Sequence, residues 1–257
     1  MTQTKALLPS WKSFSQMFFD YNEIGFSLDL STSGISPSGL KKLEPRLGKA
    51  LKAMARLEAG AIANQDENRM VGHYWLRDSK AAPENDLTDT IDSTVTAVKQ
   101  FARDVHSGRV SSPQGFRFDT LISIGIGGSA LGPQLVERAL GSPFQPMDIY
   151  FLDNTDPQGV DDLLDHIGPE QLSTTMVLVT SKSGGTPETL NGMLEIESAF
   201  EEAGHVFSGH AVAVTGDGSK LYQKAGDEGR GRALEQFERR ALLLDQPVAH
   251  EHDPVGQ

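Results

Sequence analysis

The sequence contains no cysteine, which excludes disulfide bonds, thiolate metal sites and cysteine nucleophiles. Positive charge is also scarce, since 23 lysine and arginine residues stand against 35 aspartate and glutamate residues, a net charge of −12. Non-specific binders of nucleic acid or anionic membranes need a positive field, so both partners are disfavoured. No apolar run approaches the roughly 20 residues of a membrane span, and the N-terminus lacks the apolar core of a secretion signal. We therefore expect a soluble, cytoplasmic protein.

Residues 1–110 carry two helical patterns and one short alternating run. Apolar side chains recur every three or four residues from Leu43 to Leu57 and again from Ile91 to Val105, which predicts two helices. Alternation over Phe26–Leu30 predicts a short strand. The 257 residues suffice for a hydrophobic core and one or two domains. We expect residues 1–110 to be a mostly helical extension of the region that follows.

Residues 111–226 have the pattern of an α/β domain. Four apolar runs, each followed by small polar residues and then a helix-like segment, lie about 25 to 35 residues apart. They are Leu121–Ile124, Ile149–Leu152, Met176–Thr180 and Ala211–Val214. Apolar strands alternating with helices predict a three-layer α/β/α fold around a parallel sheet of at least four strands. Ligands of such sheets bind in the loops at the carboxyl ends of the strands.

Two of these loops carry groups suited to a phosphate. The glycine loop, Gly125–Ser129, lets backbone N–H groups approach a ligand just before a helix, whose positive end favours an anion. The hydroxyl loop, Ser181–Thr186, combines three hydroxyls, one ammonium and two glycines, with Pro187 placed for the first helical turn. The alternatives are a tight strand-to-helix connection for the glycine loop and a helix N-cap with a solvated lysine for the hydroxyl loop.

Other chemistry finds little support in the sequence. The glycine loop does not fit the dinucleotide fingerprint G-x-G-x-x-G, and no Walker string G-x-x-x-x-G-K-[ST] occurs. The seven histidines have no ligand spacing such as H-E-x-x-H, so we expect no metal site and no cofactor. We interpret Asp153–Pro157 as a turn and helix cap, and Glu188 as a carboxylate in the first turn of a helix.

Several strings along the chain are recognisable when they are taken together. They are ISIGIGGSALGP (122–133), DNTDP (153–157), VTSKSGGTPET (179–189) and AVTGDGSKL (213–221). In this order they resemble the first sugar-isomerase (SIS) domain of the glucose-6-phosphate isomerase family. RMVGHYWLR (69–77) is similar to the N-terminal region of its bacterial and cyanobacterial branch. The resemblance implies an aldose–ketose isomerase of glycolysis and gluconeogenesis that interconverts glucose 6-phosphate and fructose 6-phosphate.

Carried over by motif, the resemblance also implies residues for the binding half of the site. These are Ser181, Lys182, Ser183 and Thr186 for the phosphate and Gly128 and Ser129 for the sugar. The implied partner is a hexose 6-phosphate, with neither nucleic acid nor membrane. The resemblance further implies a homodimer, whose interface we expect to be largely missing from this chain.

The catalytic half of the site has no counterpart in the sequence. The resemblance implies ring opening assisted by a histidine, proton transfer between C1 and C2 by a glutamate, and charge stabilisation by an arginine. In the family these groups lie downstream, in a Gly-Gly-Arg-Thr-Ser segment that this sequence lacks, in a second isomerase domain and in C-terminal helices. No catalytic residue is therefore identifiable. The alternatives to an isomerase are a stand-alone sugar-phosphate-binding SIS module and a non-functional fragment with an exposed sheet edge.

The last segment, residues 227–257, departs from the family pattern. Beyond Gly229 it contains arginine but no lysine, although lysine is common earlier. Our hypothesis is a reading-frame slip near residue 229, in which case another frame downstream encodes a Gly-Gly-Arg-Thr-Ser-like segment. The alternative is a divergent C-terminal helix, since Leu234, Phe237 and Ala241 have helical spacing.

We predict that the purified chain has no isomerase turnover above background. Loss of a general base costs about 10²–10⁴ in rate, and loss of the charge-stabilising arginine lowers the rate further. The measurement is a coupled assay of fructose 6-phosphate conversion, with protein made in a host whose own isomerase gene is deleted. Robust turnover in that assay would contradict the inference that this chain lacks the catalytic half of the site.

Overall fold

The computed structural model describes residues 10–66 and 68–228, which fall into two compact units, Met1–Tyr74 and Trp75–Gln257. The elements of the first unit are α1 (Trp11–Met17), β1 (Phe18–Tyr21), β2 (Phe26–Asp29) and α2 (Pro37–Glu58). Strands β1 and β2 pair in an antiparallel hairpin. The predicted short strand is confirmed as β2, and the helical pattern from Leu43 to Leu57 lies inside α2. Strand β1 was not predicted.

The second unit alternates helices and strands. Its elements are α3 (Asn85–His106), β3 (Thr120–Ile124), α4 (Gly128–Leu140), β4 (Asp148–Leu152), α5 (Pro157–Ile167), β5 (Thr175–Ser181), α6 (Pro187–Glu202), β6 (Ala211–Thr215) and α7 (Lys220–Glu228). Each of the four apolar runs predicted as a strand forms one of β3 to β6, and the pattern from Ile91 to Val105 lies inside α3.

The four strands of the second unit form one parallel sheet in the order β4-β3-β5-β6. In the centre of the sheet, Ile122 of β3 lies between Tyr150 of β4 and Val177 of β5. The predicted parallel sheet of at least four strands is therefore confirmed. After β3 the chain adds β4 on one side, and it then returns to add β5 and β6 on the other, so the direction of winding reverses between β3 and β5.

Apolar side chains pack against both faces of this sheet. Because successive side chains of a strand point to opposite faces, Ile122 and Val177 belong to one cluster while Leu121 and Met176 belong to the other. The first cluster includes side chains of α5 and α6, and the second includes Val105 of α3. Helices thus cover both faces, which confirms the predicted three-layer α/β/α architecture.

The compact units place α3 with the sheet. The division into 1–110, 111–226 and 227–257 stays a prediction about domains. Helix α7 runs through residue 228, and the rest of the predicted tail, with Leu234, Phe237 and Ala241, lies outside the described residues. Within residues 10–66 and 68–228, no helix has both the length and the apolar character needed to cross a membrane.

A buried histidine lies at the amino end of β6. The Nδ1 of His210 lies 2.9 Å from the carbonyl oxygen of Thr175, so this nitrogen carries the proton and donates. Its Nε2 is buried without a hydrogen-bond partner, and the ring packs against Phe118, Phe200 and His205. Burial lowers the pKa of His210; the bond to Thr175 partly opposes this effect, and His205 adds to it.

We predict that the free energy of unfolding decreases as the pH is lowered from 7 through about 6.5, the ordinary pKa of histidine. In this range an unfolded chain takes up a proton on His210 before the folded chain does, so protons favour unfolding until the lowered folded pKa is reached. Urea unfolding between pH 7.5 and 5 measures the slope. His210→Gln should reduce this slope, and the exposed-site control His106→Gln should keep it. Equal slopes in both variants would contradict the assignment of the pH dependence to His210.

Candidate functional site

The glycine loop and the hydroxyl loop meet at the carboxyl edge of the sheet. They follow β3 and β5, the two adjacent strands between which the direction of winding reverses. A Cβ atom added at Gly125 would lie 2.9 Å from the Cβ of Ser129 and 3.1 Å from the carbonyl oxygen of Thr180. Only glycine allows this approach of the two strand ends. In open α/β sheets the crevice at such a switch point is where ligands bind.

The glycine loop leads directly into α4. The N–H of Gly125 donates to the carbonyl oxygen of Leu152 at 3.2 Å, which ties the loop to the end of β4. Gly127, with φ +58° and ψ −119°, precedes the first residue of α4. Gly128 is exposed and Ser129 is half-buried. The loop therefore places the positive end of α4 at the switch point, beside the predicted sugar residues.

The hydroxyl loop leads in the same way into α6. The hydroxyl of Ser181 is buried and donates to Oγ1 of Thr186 at 3.2 Å, while Lys182 and Ser183 are exposed. Thr186 precedes the helix but makes no side-chain capping bond to it, although the N-cap interpretation would require one. Pro187 occupies the first turn of α6 as predicted. The four predicted phosphate residues are thus brought into one turn ahead of a helix N-terminus.

A third segment, the β6–α7 turn (Gly216–Ser219), supports the hydroxyl loop. The hydroxyl of Thr215, the last residue of β6, donates to the carbonyl oxygen of Ser181 at 2.6 Å. The N–H of Gly216 donates to the carbonyl oxygen of Lys182 at 3.1 Å. A Cβ added at Gly184, which has φ +63°, would lie 2.6 Å from Oγ of Ser219. Thr215, Gly216 and Ser219 belong to the string AVTGDGSKL, but no role was predicted for them.

The lysine that begins α7 was also missed. A Cβ at Gly185 would lie 3.8 Å from Cδ of Lys220, so the exposed Lys220 runs beside the hydroxyl loop. Its signal in the sequence was its position directly after the fourth predicted strand and turn. The loop region therefore combines Lys182 with a second ammonium group, in a chain whose net charge is −12.

Two carboxylates near this edge, those of Asp153 and Asp156, accept hydrogen bonds from neighbouring protein groups. Asp156 accepts the N–H of Gln158 and caps α5, which confirms the turn and helix cap. Asp153 accepts from the side-chain amide of Gln134 at 2.8 Å. Glu188 lies in the first turn of α6, as predicted. Within the described ranges, His, Asp and Glu side chains form no group of three suited to a metal ion.

Comparison with known proteins identifies the family. The family model described as Phosphoglucose isomerase matches residues 31–230. The chain belongs to the phosphoglucose isomerase family. The resemblance drawn from the four strings is thereby confirmed, and the match includes both loops and the β6–α7 turn.

Individual relatives agree with this result. The chain is 50% identical over 222 residues to a glucose-6-phosphate isomerase of Thermosynechococcus vestitus, covering 86% of this chain and 42% of the relative. It is 52% identical over 211 residues to that of Geobacter sp., covering 82% and 40%. A crystal structure of a glucose-6-phosphate isomerase from Chlamydia trachomatis superposes with a TM-score of 0.68 at 26% identity, covering 86% of this chain and 43% of that one. The chain thus spans about two fifths of the length of these curated relatives.

We predict that Gly184→Ala is much more destabilising than Gly218→Ala. Both glycines have positive φ, +63° and +66°, so each alanine costs about 1 kcal/mol in backbone strain. At Gly218 nothing lies within 4 Å of the added Cβ, whereas at Gly184 it would meet Ser219 and Leu221 at 2.6 Å. The collision should bring the total for Gly184→Ala to at least about 2 kcal/mol. Urea unfolding measures both, and equal losses would contradict the close packing.

Proposed function

We propose that this chain forms the phosphate-binding part of a glucose-6-phosphate isomerase, the enzyme that interconverts glucose 6-phosphate and fructose 6-phosphate. The observation that carries the proposal is the meeting of the glycine loop and the hydroxyl loop at the switch point between β3 and β5. Membership of the phosphoglucose isomerase family supports it. The reaction is that of the relatives, which are glucose-6-phosphate isomerases.

The phosphate lies, in this proposal, at the hydroxyl loop. Ser181, Ser183 and Thr186 supply hydroxyl donors, Lys182 supplies a positive charge, and the N-terminus of α6 adds its partial positive charge. The helix end also supplies backbone N–H groups that have no partner within the helix. Charge-assisted hydrogen bonds from such groups are about twice as strong as neutral ones, which suits them to a dianionic phosphate.

The sugar extends, in this proposal, from the hydroxyl loop to the glycine loop. Gly128 and Ser129 stand at the start of α4, one strand away from the phosphate residues. Because glycine has no side chain, a sugar hydroxyl can approach the backbone of this loop closely. The two loops together then fix both ends of one hexose phosphate.

The groups that would open the ring and move the proton are not assigned to this chain. His210 lies at the amino end of β6, whereas both loops follow the carboxyl ends of their strands. The bond to Thr175 and the apolar packing give its ring a structural explanation. A homodimer and a cytoplasmic location stay predictions.

Lys182→Ala tests the phosphate site. We predict that it weakens binding of fructose 6-phosphate by about 1.5–3 kcal/mol, because a charge-assisted hydrogen bond is lost. Isothermal titration calorimetry with fructose 6-phosphate and 6-phosphogluconate measures the effect. Ser181→Ala, Ser183→Ala and Thr186→Ala should each have a smaller effect, since each removes an uncharged donor.

The matched control for Lys182→Ala is Lys99→Ala. Lys99 is exposed on α3, far in sequence from both loops, and its loss changes the net charge of the chain by the same amount. The affinity of the Lys99→Ala variant for fructose 6-phosphate should equal that of the parent chain. Equal affinities of the Lys182→Ala variant and the parent would place the anion site elsewhere. Binding without turnover in the coupled assay would favour the stand-alone binding module over an active isomerase.

A further inference from the structure

A directed chain of hydrogen bonds runs from the start of α7 to the hydroxyl loop. The N–H of Tyr222 donates to Oγ of Ser219 at 3.0 Å. The hydroxyls of Ser219 and Thr215 lie 2.7 Å apart, and Thr215 donates to the carbonyl oxygen of Ser181 at 2.6 Å. Since the one proton of Thr215 is used for Ser181, Ser219 must donate to Thr215. All members point the same way, so each bond polarises the next.

These hydrogen bonds fix two peptide groups of the hydroxyl loop. The carbonyl of Ser181 faces Thr215, and the carbonyl of Lys182 accepts the N–H of Gly216 at 3.1 Å. In a planar trans peptide the C=O and the following N–H point in opposite directions. The N–H groups of Lys182 and Ser183 are therefore directed away from the β6–α7 turn.

Packing at Gly184 reinforces the same arrangement. Its N–H donates to the carbonyl oxygen of Ser181 at 3.1 Å, so this oxygen accepts two hydrogen bonds. The absence of a side chain at Gly184 allows the backbone to lie against Ser219 and the N–H of Leu221. The β6–α7 turn thus holds the hydroxyl loop from one side. Among the described residues, this turn makes no hydrogen bond to the hydroxyls of Ser181, Ser183 or Thr186.

We propose that Thr215 and Ser219 are positioning residues, which set the orientation of the hydroxyl-loop backbone for a phosphate group. The inference rests on the phosphate site of the proposed function. Thr215 and Ser219 act through the carbonyl of Ser181 and need not touch the ligand. The precision of the site then depends on a hydrogen-bond chain anchored in α7, a helix that supplies none of the predicted phosphate residues.

Thr215→Val tests this role because valine keeps the branched shape of threonine and replaces its hydroxyl with a methyl group, which cannot donate a hydrogen bond. Binding of fructose 6-phosphate, measured by calorimetry on the full chain, should weaken roughly five- to tenfold, as expected for one lost hydrogen bond. Hydrogen exchange at the Gly184 amide, measured by NMR without ligand, should become faster. Thr215→Ser keeps the hydroxyl and should restore both values to those of the parent.

The matched control is Thr175→Val. Thr175 is also a β-sheet threonine whose hydroxyl donates to a backbone carbonyl, that of Gln171 at 2.8 Å, but it lies at the amino end of β5. Loss of the Thr175 hydroxyl should lower the free energy of unfolding. It should change neither the affinity for fructose 6-phosphate nor hydrogen exchange at the Gly184 amide. If Thr175→Val weakens binding as much as Thr215→Val, or if Thr215→Ser does not restore it, the positioning role is overturned.

Ser219→Ala provides a second variant in case Thr215→Val fails to fold. It removes the donor to Thr215. Hydrogen exchange at the Gly184 amide should therefore become faster and the affinity for fructose 6-phosphate should decrease, as in Thr215→Val. Unchanged exchange and affinity in the folded variants would overturn the inference. Failure of fructose 6-phosphate to bind the parent chain would overturn the proposed function and the positioning of a phosphate, while faster Gly184 exchange would still report the hydrogen-bond chain itself.

Discussion

The parallel pairing of β3 with β5 is the constraint on which the candidate site depends. It runs from Thr120 opposite Thr175 to Ile124 opposite Val179, and apolar side chains pack against both faces of the two strands. Because the strands are parallel neighbours, with Ile124 at the end of β3 only two residues short of the end of β5 at Ser181, the loops that follow them must share one edge of the sheet. The missing side chain at Gly125 then lets these loops approach to the distances observed. A different neighbour for β3 would separate the glycine loop from the hydroxyl loop.

A second consequence of the strand order concerns β6. It lies on the other side of β5, with Thr215 opposite Ser181, so its terminal turn contacts the hydroxyl loop from that side. The hydroxyl loop thereby lies between the glycine loop, where the sugar is expected, and the β6–α7 turn, which holds the carbonyls of the hydroxyl loop. The family match covers all three segments.

Local features of the sequence were sufficient where local physics decides the structure. The apolar runs became β3 to β6 because a strand covered on both faces has no solvated side and therefore reads as continuous apolar sequence. Asp156 and Pro187 took their predicted places because capping and a fixed proline φ act within one helical turn. Strand β1 was not predicted because its sequence, FFDY, does not alternate between apolar and polar residues. Only the pairing with β2 identifies this segment as a strand.

The sequence by itself determined the fold class, the family strings and the types of chemical group in each loop, since these follow from composition and short spacing. Only the tertiary structure decided the strand order, and with it the meeting of Gly125 with Thr180 and of Thr215 with Ser181. Such contacts join residues more than 30 positions apart, and no local propensity encodes which strand becomes a neighbour. The buried state of His210 has the same origin, because its surroundings are assembled from α6, β5 and the segment before β3.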